Sequence, residues 1–212
     1  NKGLIFEELA DFEKAINIYK ECLSISIEMD EKRAICVSHC NIGCILEYQG
    51  IWDESFKYFK RAYQLAKKIG YKAGIGGYGN DLSQIYIKKE NYSKAIPMLT
   101  GSLKLLKELE AIDCISCLIA RAYCYIKTSK NKLAIKDLQE VEILFRQFPG
   151  FDQHKSFWQL SEVYKALKED KKSITYLNRA HEFLLKKVGS IKDNKIKNLF
   201  FNTPDAILIK HS

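Results

Sequence analysis

The sequence predicts an all-α protein, a solenoid of about five helix-turn-helix repeats followed by a C-terminal capping helix, and three observations carry that expectation. Only three prolines and 11 glycines interrupt 212 residues that are 47% hydrophobic and 28% charged, a balance that favours long helices over turn-rich sheets. The chain is self-similar at a period of 40 residues: Asn1-Lys2-Gly3 with Asp11-Phe12-Glu13-Lys14-Ala15, Asn41-Ile42-Gly43 with Ile51-Trp52-Asp53-Glu54-Ser55, and Asp81-Leu82-Ser83 with Asn91-Tyr92-Ser93-Lys94-Ala95. Within every copy a small residue lies 12 positions before a second small one, the spacing at which two antiparallel helices cross too closely for larger side chains.

Each element follows in order. The first unit sets Gly3 and Phe6 on one helix, then Ala15 and Tyr19 on a second that begins at Phe12; the next sets Gly43 and Leu46 before Trp52, Ser55 and Phe59. Between these two helices Gln49-Gly50 is the turn, with Gly50 suited to the left-handed conformation that ends a helix. The third unit repeats the arrangement with Ser83, Tyr86, Tyr92, Ala95 and Leu99. Fainter copies use Ala122, Tyr125, Asn131, Ala134 and Leu138, then Ser161, Tyr164, Asp170, Ser173 and Leu177. The units therefore close near 15, 55, 95, 134 and 173, and the array is expected to fill 1–187. In 188–212, Gly189 is expected to break the last repeat helix and 191–201 to form the cap. The apolar tail Ala206-Ile207-Leu208-Ile209 then packs back or leads into a further domain. A start inside the first helix, without Met, suggests a piece of a longer protein.

The pattern resembles the tetratricopeptide repeat (TPR) over 1–187, in the 39–40 residue variety of Pins/LGN-type polarity scaffolds and of TPR segments in bacterial multidomain signalling proteins. The resemblance implies a right-handed superhelix whose first helices line a concave groove that takes a protein or peptide segment. By register the groove candidates begin with Leu4, Glu7 and Glu8, then Val37, Cys40, Asn41, Cys44, Glu47 and Tyr48. They continue with Asn80, Asp81, Gln84 and Lys88, with Ser116, Ile119, Tyr123 and Lys127, and with Lys155, Trp158, Gln159, Glu162 and Lys165. The amides of Asn41, Asn80, Gln84 and Gln159 suit a peptide backbone, and Tyr48, Tyr123 and Trp158 are anchor types. Acidic Glu47 and Asp81 towards one end, against Lys127, Lys155 and Lys165 towards the other, would orient a ligand with its own charge polarity. The carboxylate clamp of chaperone-tail co-factors is matched only at Asn41; Val37, Gly77, Asp81, Ser116 and Ala120 stand where further cations and amides belong. The alternative to a free-standing scaffold is a regulatory module acting on a covalently attached cyclase, kinase, ATPase or transcription-regulator domain.

Other chemistries find little support. Cys36, Cys40 and Cys44 span about 12 Å of one helix axis, too far for one tetrahedral ion, and Cys114, Cys117 and Cys124 belong to another unit. No metal or cofactor is expected, and with Cys22 the seven cysteines read as reduced thiols of a cytoplasmic protein. Four histidines spread along a repeat array form no catalytic constellation, and Gly74-Ile75-Gly76-Gly77-Tyr78-Gly79 lacks the strand and Lys-Ser/Thr pair of a phosphate loop, so no enzyme is expected. No apolar run approaches the roughly 18 residues of a membrane span. The formal charge of +8 divides into −5 for 1–53 (five Lys/Arg against ten Asp/Glu) and +13 for 54–212 (29 against 16). Lys57, Lys60, Arg61, Lys67 and Lys68, and later Lys186, Lys187, Lys192, Lys195 and Lys197, form basic runs. Interrupting acids and the absence of interleaved aromatic platforms argue against nucleic acid as the partner.

Overall fold

The computed structural model describes residues 12–148, 154–191 and 194–201, together with 206 and 209. Those residues are helical apart from short turns, and no strand occurs among them. Helices α1 (Phe12–Glu28), α2 (Lys32–Tyr48), α3 (Trp52–Lys68), α4 (Lys72–Lys88) and α5 (Tyr92–Glu108) are followed by α6 (Cys114–Lys127), α7 (Asn131–Gln147), α8 (His154–Ala166), α9 (Asp170–Ser190) and α10 (Asn194–Phe201). The second helices of the five units begin at Phe12, Trp52, Tyr92, Asn131 and Asp170, as the repeat spacing predicts. The chain divides into two compact units, residues 1–74 with 184–212, and residues 75–183.

In the first unit α1 packs on α2 and α2 on α3. Gly43 and Ser55 form the small pair 12 apart, and the Ser55 hydroxyl donates to the Gly43 carbonyl at 2.9 Å. A Cβ on Gly43 would lie 2.8 Å from two carbons of the Phe59 ring, and Phe59 is wholly buried. Ala15 and Ile45 meet in a small core flanked by Phe12, Ile16 and Tyr19. At the other end of the chain, α9 ends at Ser190, one residue past Gly189. A short helix, α10, follows over Asn194–Phe201, and Ala206 and Ile209, three positions apart, are both buried.

In the second unit α6 is the hub, packing on α5, α7 and α8. It is the most apolar of the helices, with Ile115, Cys117, Leu118, Ile119, Ala120, Ala122 and Cys124 all wholly buried. Arg121 fastens α6 to α7 by a bidentate pair with Asp137 (2.9 and 2.7 Å) and also donates to Thr100 of α5. The fifth repeat uses the same small-pair device as the second: the hydroxyls of Ser161 and Ser173 lie 3.2 Å apart. The glycine-rich stretch lies inside α4, where a Cβ on Gly76 would strike Leu106 of α5 at 2.8 Å while one on Gly77 would meet nothing within 4 Å. Gly76 therefore serves close helix packing, whereas Gly77 stands in open space.

Seven turns end their helices in one way. The residue after the C-cap takes positive φ and its N–H, with the next, returns to the last turn: Gly50 N to Glu47 O (3.0 Å) and Ile51 N to Leu46 O (2.8 Å) are one such pair. Gly50 and Gly70 occupy that position at φ 76° and 68°, but Asp30, Glu90, Glu110, Ser129 and Lys168 hold it at φ 50° to 60°. Side chains there carry strain of about 1–2 kcal/mol relative to an ordinary helical conformation, which the paired backbone bonds offset.

Candidate partner-binding site

The predicted groove residues fall in both units, and each set stands by itself. Leu4, Glu7 and Glu8 lie outside the described residues. In the first unit, α2 carries Asn41, Glu47 and Tyr48 half-buried and Val37 exposed, while Cys40 is buried. Beside them His39 lies against the Tyr58 ring, 5.7 Å between centroids, and the Arg61 guanidinium stands 5.6 Å from the centroid of the same ring. Its Nδ1 is buried without a hydrogen-bond partner among the described residues. Burial, and then the Arg61 charge, lower the His39 pKa, so the ring is held neutral.

In the second unit the first helices α4, α6 and α8 present most of the candidates. Gln84 and Gln159 correct the expectation: both are buried, and Gln159 Nε2 donates to Gln84 Oε1 at 3.0 Å. Register identifies the face on which a residue lies, but not that Gln159 of α8, two repeats further on, comes within hydrogen-bond reach of Gln84 on α4. Ser116 and Ile119 are likewise buried, and Ser116 donates to the Asp113 carbonyl at 2.9 Å. Asn80 is half-buried; its Nδ2 reaches Ser116 Oγ at 3.4 Å, whereas its Oδ1 is buried with no partner among the described residues. An amide acceptor left bare costs about 1–3 kcal/mol unless something donates to it.

An aromatic centre lies between α6 and α8. Tyr123 and Trp158, both half-buried, stand 6.4 Å apart between ring centroids at 39°, and Lys127 lies 5.1 Å over the Tyr123 ring. Burial first, then the charge of Glu162, raises the Tyr123 pKa. Tyr92 is raised by burial and by Tyr123 and Glu90, with Lys127 opposing. These influences bring into the site two residues that register missed: Glu90, in the turn after α4, and Tyr92, at the first position of α5. Tyr92 had a signal in the sequence, as an aromatic at the inter-helix turn, but was assigned to starting a helix. Lys155, Glu162 and Asp81 are half-buried, and Lys165, exposed, approaches Glu162 at 3.9 Å. The two tyrosine hydroxyls, the indole N–H, a cation and two carboxylates can grip a polypeptide segment through side-chain contacts and hydrogen bonds.

Four of the cysteines, Cys36, Cys114, Cys117 and Cys124, are buried as packing. Burial raises the thiol pKa of Cys36, Cys114 and Cys117 and pushes Cys124 up to about 12, which keeps all four protonated.

A family model for the tetratricopeptide repeat matches residues 1–26. BtubC from P. vanneervenii, 16% identical, superimposes with a TM-score of 0.68 over 90% of this chain and 80% of its own. The chain has a tetratricopeptide-repeat fold. A Rap protein complexed with Competence and Sporulation Factor shares the TPR-like architecture at a TM-score of 0.66 and 11% identity, over 99% of this chain and 59% of that one. Outer envelope protein 61 of Arabidopsis thaliana is 27% identical over 132 residues, which are 61% of this chain; the match spans only 21% of that relative's length. TPR repeats generally mediate protein–protein interaction, and the scaffold is typically non-enzymatic. Among the described residues no helix is long and apolar enough to cross a membrane.

Proposed function

We propose that this TPR protein is a non-enzymatic scaffold that takes a partner's polypeptide segment against the inner helices of the second unit. The observation that carries the reading is the Tyr123–Trp158 pair with Lys127 over it, half-exposed amphipathic rings of the type that dominate interface energetics. Support by analogy comes from the Rap protein complexed with Competence and Sporulation Factor, whose fold this chain shares over nearly its whole length. In the first unit Asn41, Glu47 and Tyr48 offer a second patch of the same chemistry. Lys127, Lys155 and Lys165 favour acidic residues in the segment that meets the second unit. The free thiols fit a reducing compartment, and the cytoplasm is the proposed location.

A regulatory role within a longer protein is the second reading, favoured by the Arabidopsis relative, of which the match spans only a fifth. There the segment would belong to an attached domain. Selection of a displayed peptide library on the chain, followed by the Tyr123→Ala, Trp158→Ala double variant, tests the site. Binders should weaken by at least thirtyfold, corresponding to a loss of about 2 kcal/mol, with helical circular dichroism retained. Unchanged affinity with intact helicity removes this face as the site.

A further inference from the structure

The second unit holds a recess that shares no residue with the face just described. It is a cavity of ≈280 Å³ between α7 and the turn that joins α8 to α9. One wall is apolar, formed by Ile135, Leu138 and Leu167. The polar part is built around Glu142, whose Oε1 accepts hydrogen bonds from both Tyr164 and Tyr176 at 3.1 Å. Those two rings are stacked, 5.4 Å apart and 5° from parallel. Two hydroxyls on one oxygen fix the carboxylate and leave Oε2 without a protein partner among the described residues. A second carboxylate, the exposed Glu169, also lines the recess. Lys172 lies on it too, its Nζ 4.9 Å over the Tyr164 ring.

We propose that this recess binds a basic amino acid through its side chain, an alkyl guanidinium or ammonium, whether the amino acid is free or part of a partner chain. Such a side chain has an apolar stem and a cationic head, and the recess offers an apolar wall, two carboxylates and an aromatic face in one cavity. An anionic ligand is disfavoured because Glu142 and Glu169 outnumber Lys172. Lys172 acts as a tethered stand-in: its ammonium occupies the ring face that the ligand's head would use. Removing it should therefore strengthen binding of a cationic head.

The test is titration of the full chain, followed by heteronuclear NMR, with free L-arginine, with N-acetyl-arginine methylamide and with L-citrulline, the neutral near-isostere. Saturable binding in roughly the millimolar range is expected for at least one arginine probe, with none for citrulline. Glu169→Gln, at an exposed position where folding is not at stake, should weaken it about tenfold, and Glu142→Gln at least as much. Lys172→Ala should tighten it severalfold. Binding of free arginine alone marks a small-molecule site, and binding of the blocked derivative marks a basic residue of a partner. The proposal is overturned if neither arginine probe binds, if citrulline binds equally, if Glu169→Gln leaves affinity unchanged, or if Lys172→Ala weakens it.

Discussion

Adding one methyl group to Gly43 tests whether the 12-residue small pair is what holds a repeat together. The new Cβ would sit 2.8 Å from Cδ1 and Cε1 of Phe59 and 3.2 Å from Cγ, where ordinary contact begins near 3.4 Å. A ring that is wholly buried cannot swing aside, so α2 and α3 must part by about half an ångström. Overpacking of this type costs about 1–3 kcal/mol, and lengthening the Ser55 to Gly43 hydrogen bond adds up to about 1 kcal/mol. The gain in helix propensity returns about 1 kcal/mol, so Gly43→Ala should destabilise the protein by up to about 3 kcal/mol. Gly77→Ala is the matched control. Its Cβ meets nothing within 4 Å, so only the propensity gain remains and that variant should be more stable by up to about 1 kcal/mol. Urea unfolding followed by circular dichroism at 222 nm reads both, and Phe59→Leu in the Gly43→Ala background should recover part of the loss as a coupling energy of about 1 kcal/mol. A Gly43→Ala protein as stable as the parent, with Gly77→Ala no different from it, would falsify the close-crossing account.

Three further expectations rest on separate features. Lys168→Gly, at φ 60° in a helix-ending turn, should raise the urea midpoint by the equivalent of about 0.5–1 kcal/mol, whereas a drop would mean the lysine side chain contributes more than its strain. Asp137→Ala leaves the Arg121 guanidinium buried without its bidentate partner and should cost about 3–5 kcal/mol, with Arg121→Met in the same chain restoring part; equal stability of single and double variants would refute the pairing. His39, whose folded pKa lies below its ordinary 6.5, binds its proton more readily when unfolded, so its contribution to stability is fully present above about pH 6.5 and is lost as pH falls below that value towards the depressed folded pKa. The unfolding midpoint should decline in that window, and His39→Phe should flatten the decline; an identical slope in the variant contradicts it.

The helices were legible in the sequence because their determinants are local and repeated. A small residue, an aromatic or leucine three or four positions on, and a turn recur with a fixed period, so five helix starts could be located without knowing what packs where. The binding face was only half legible. Repeat register puts Gln84 on the inner side of α4, but whether that side meets water or Gln159 depends on the angle between helices two repeats apart, which no single helix encodes. The Glu142 recess left no trace for the same reason: its carboxylate, its two tyrosines and its apolar wall come from three helices, and none forms a motif alone. Left-handed turns at Glu90 or Lys168 were invisible too, since their residue types do not announce positive φ.

The amide pair of Gln84 and Gln159 has a consequence for how the second unit comes apart. An array in which each repeat touches only its neighbours loses structure by fraying, one repeat after another from an end. A bond from α4 to α8 spans the repeat between them, so α8 cannot leave without uncovering α4 and baring two buried amides at once. Hydrogen exchange in α4, α6 and α8 should therefore follow a single opening reaction with a common free energy, making this stretch a cooperative block rather than a string of beads.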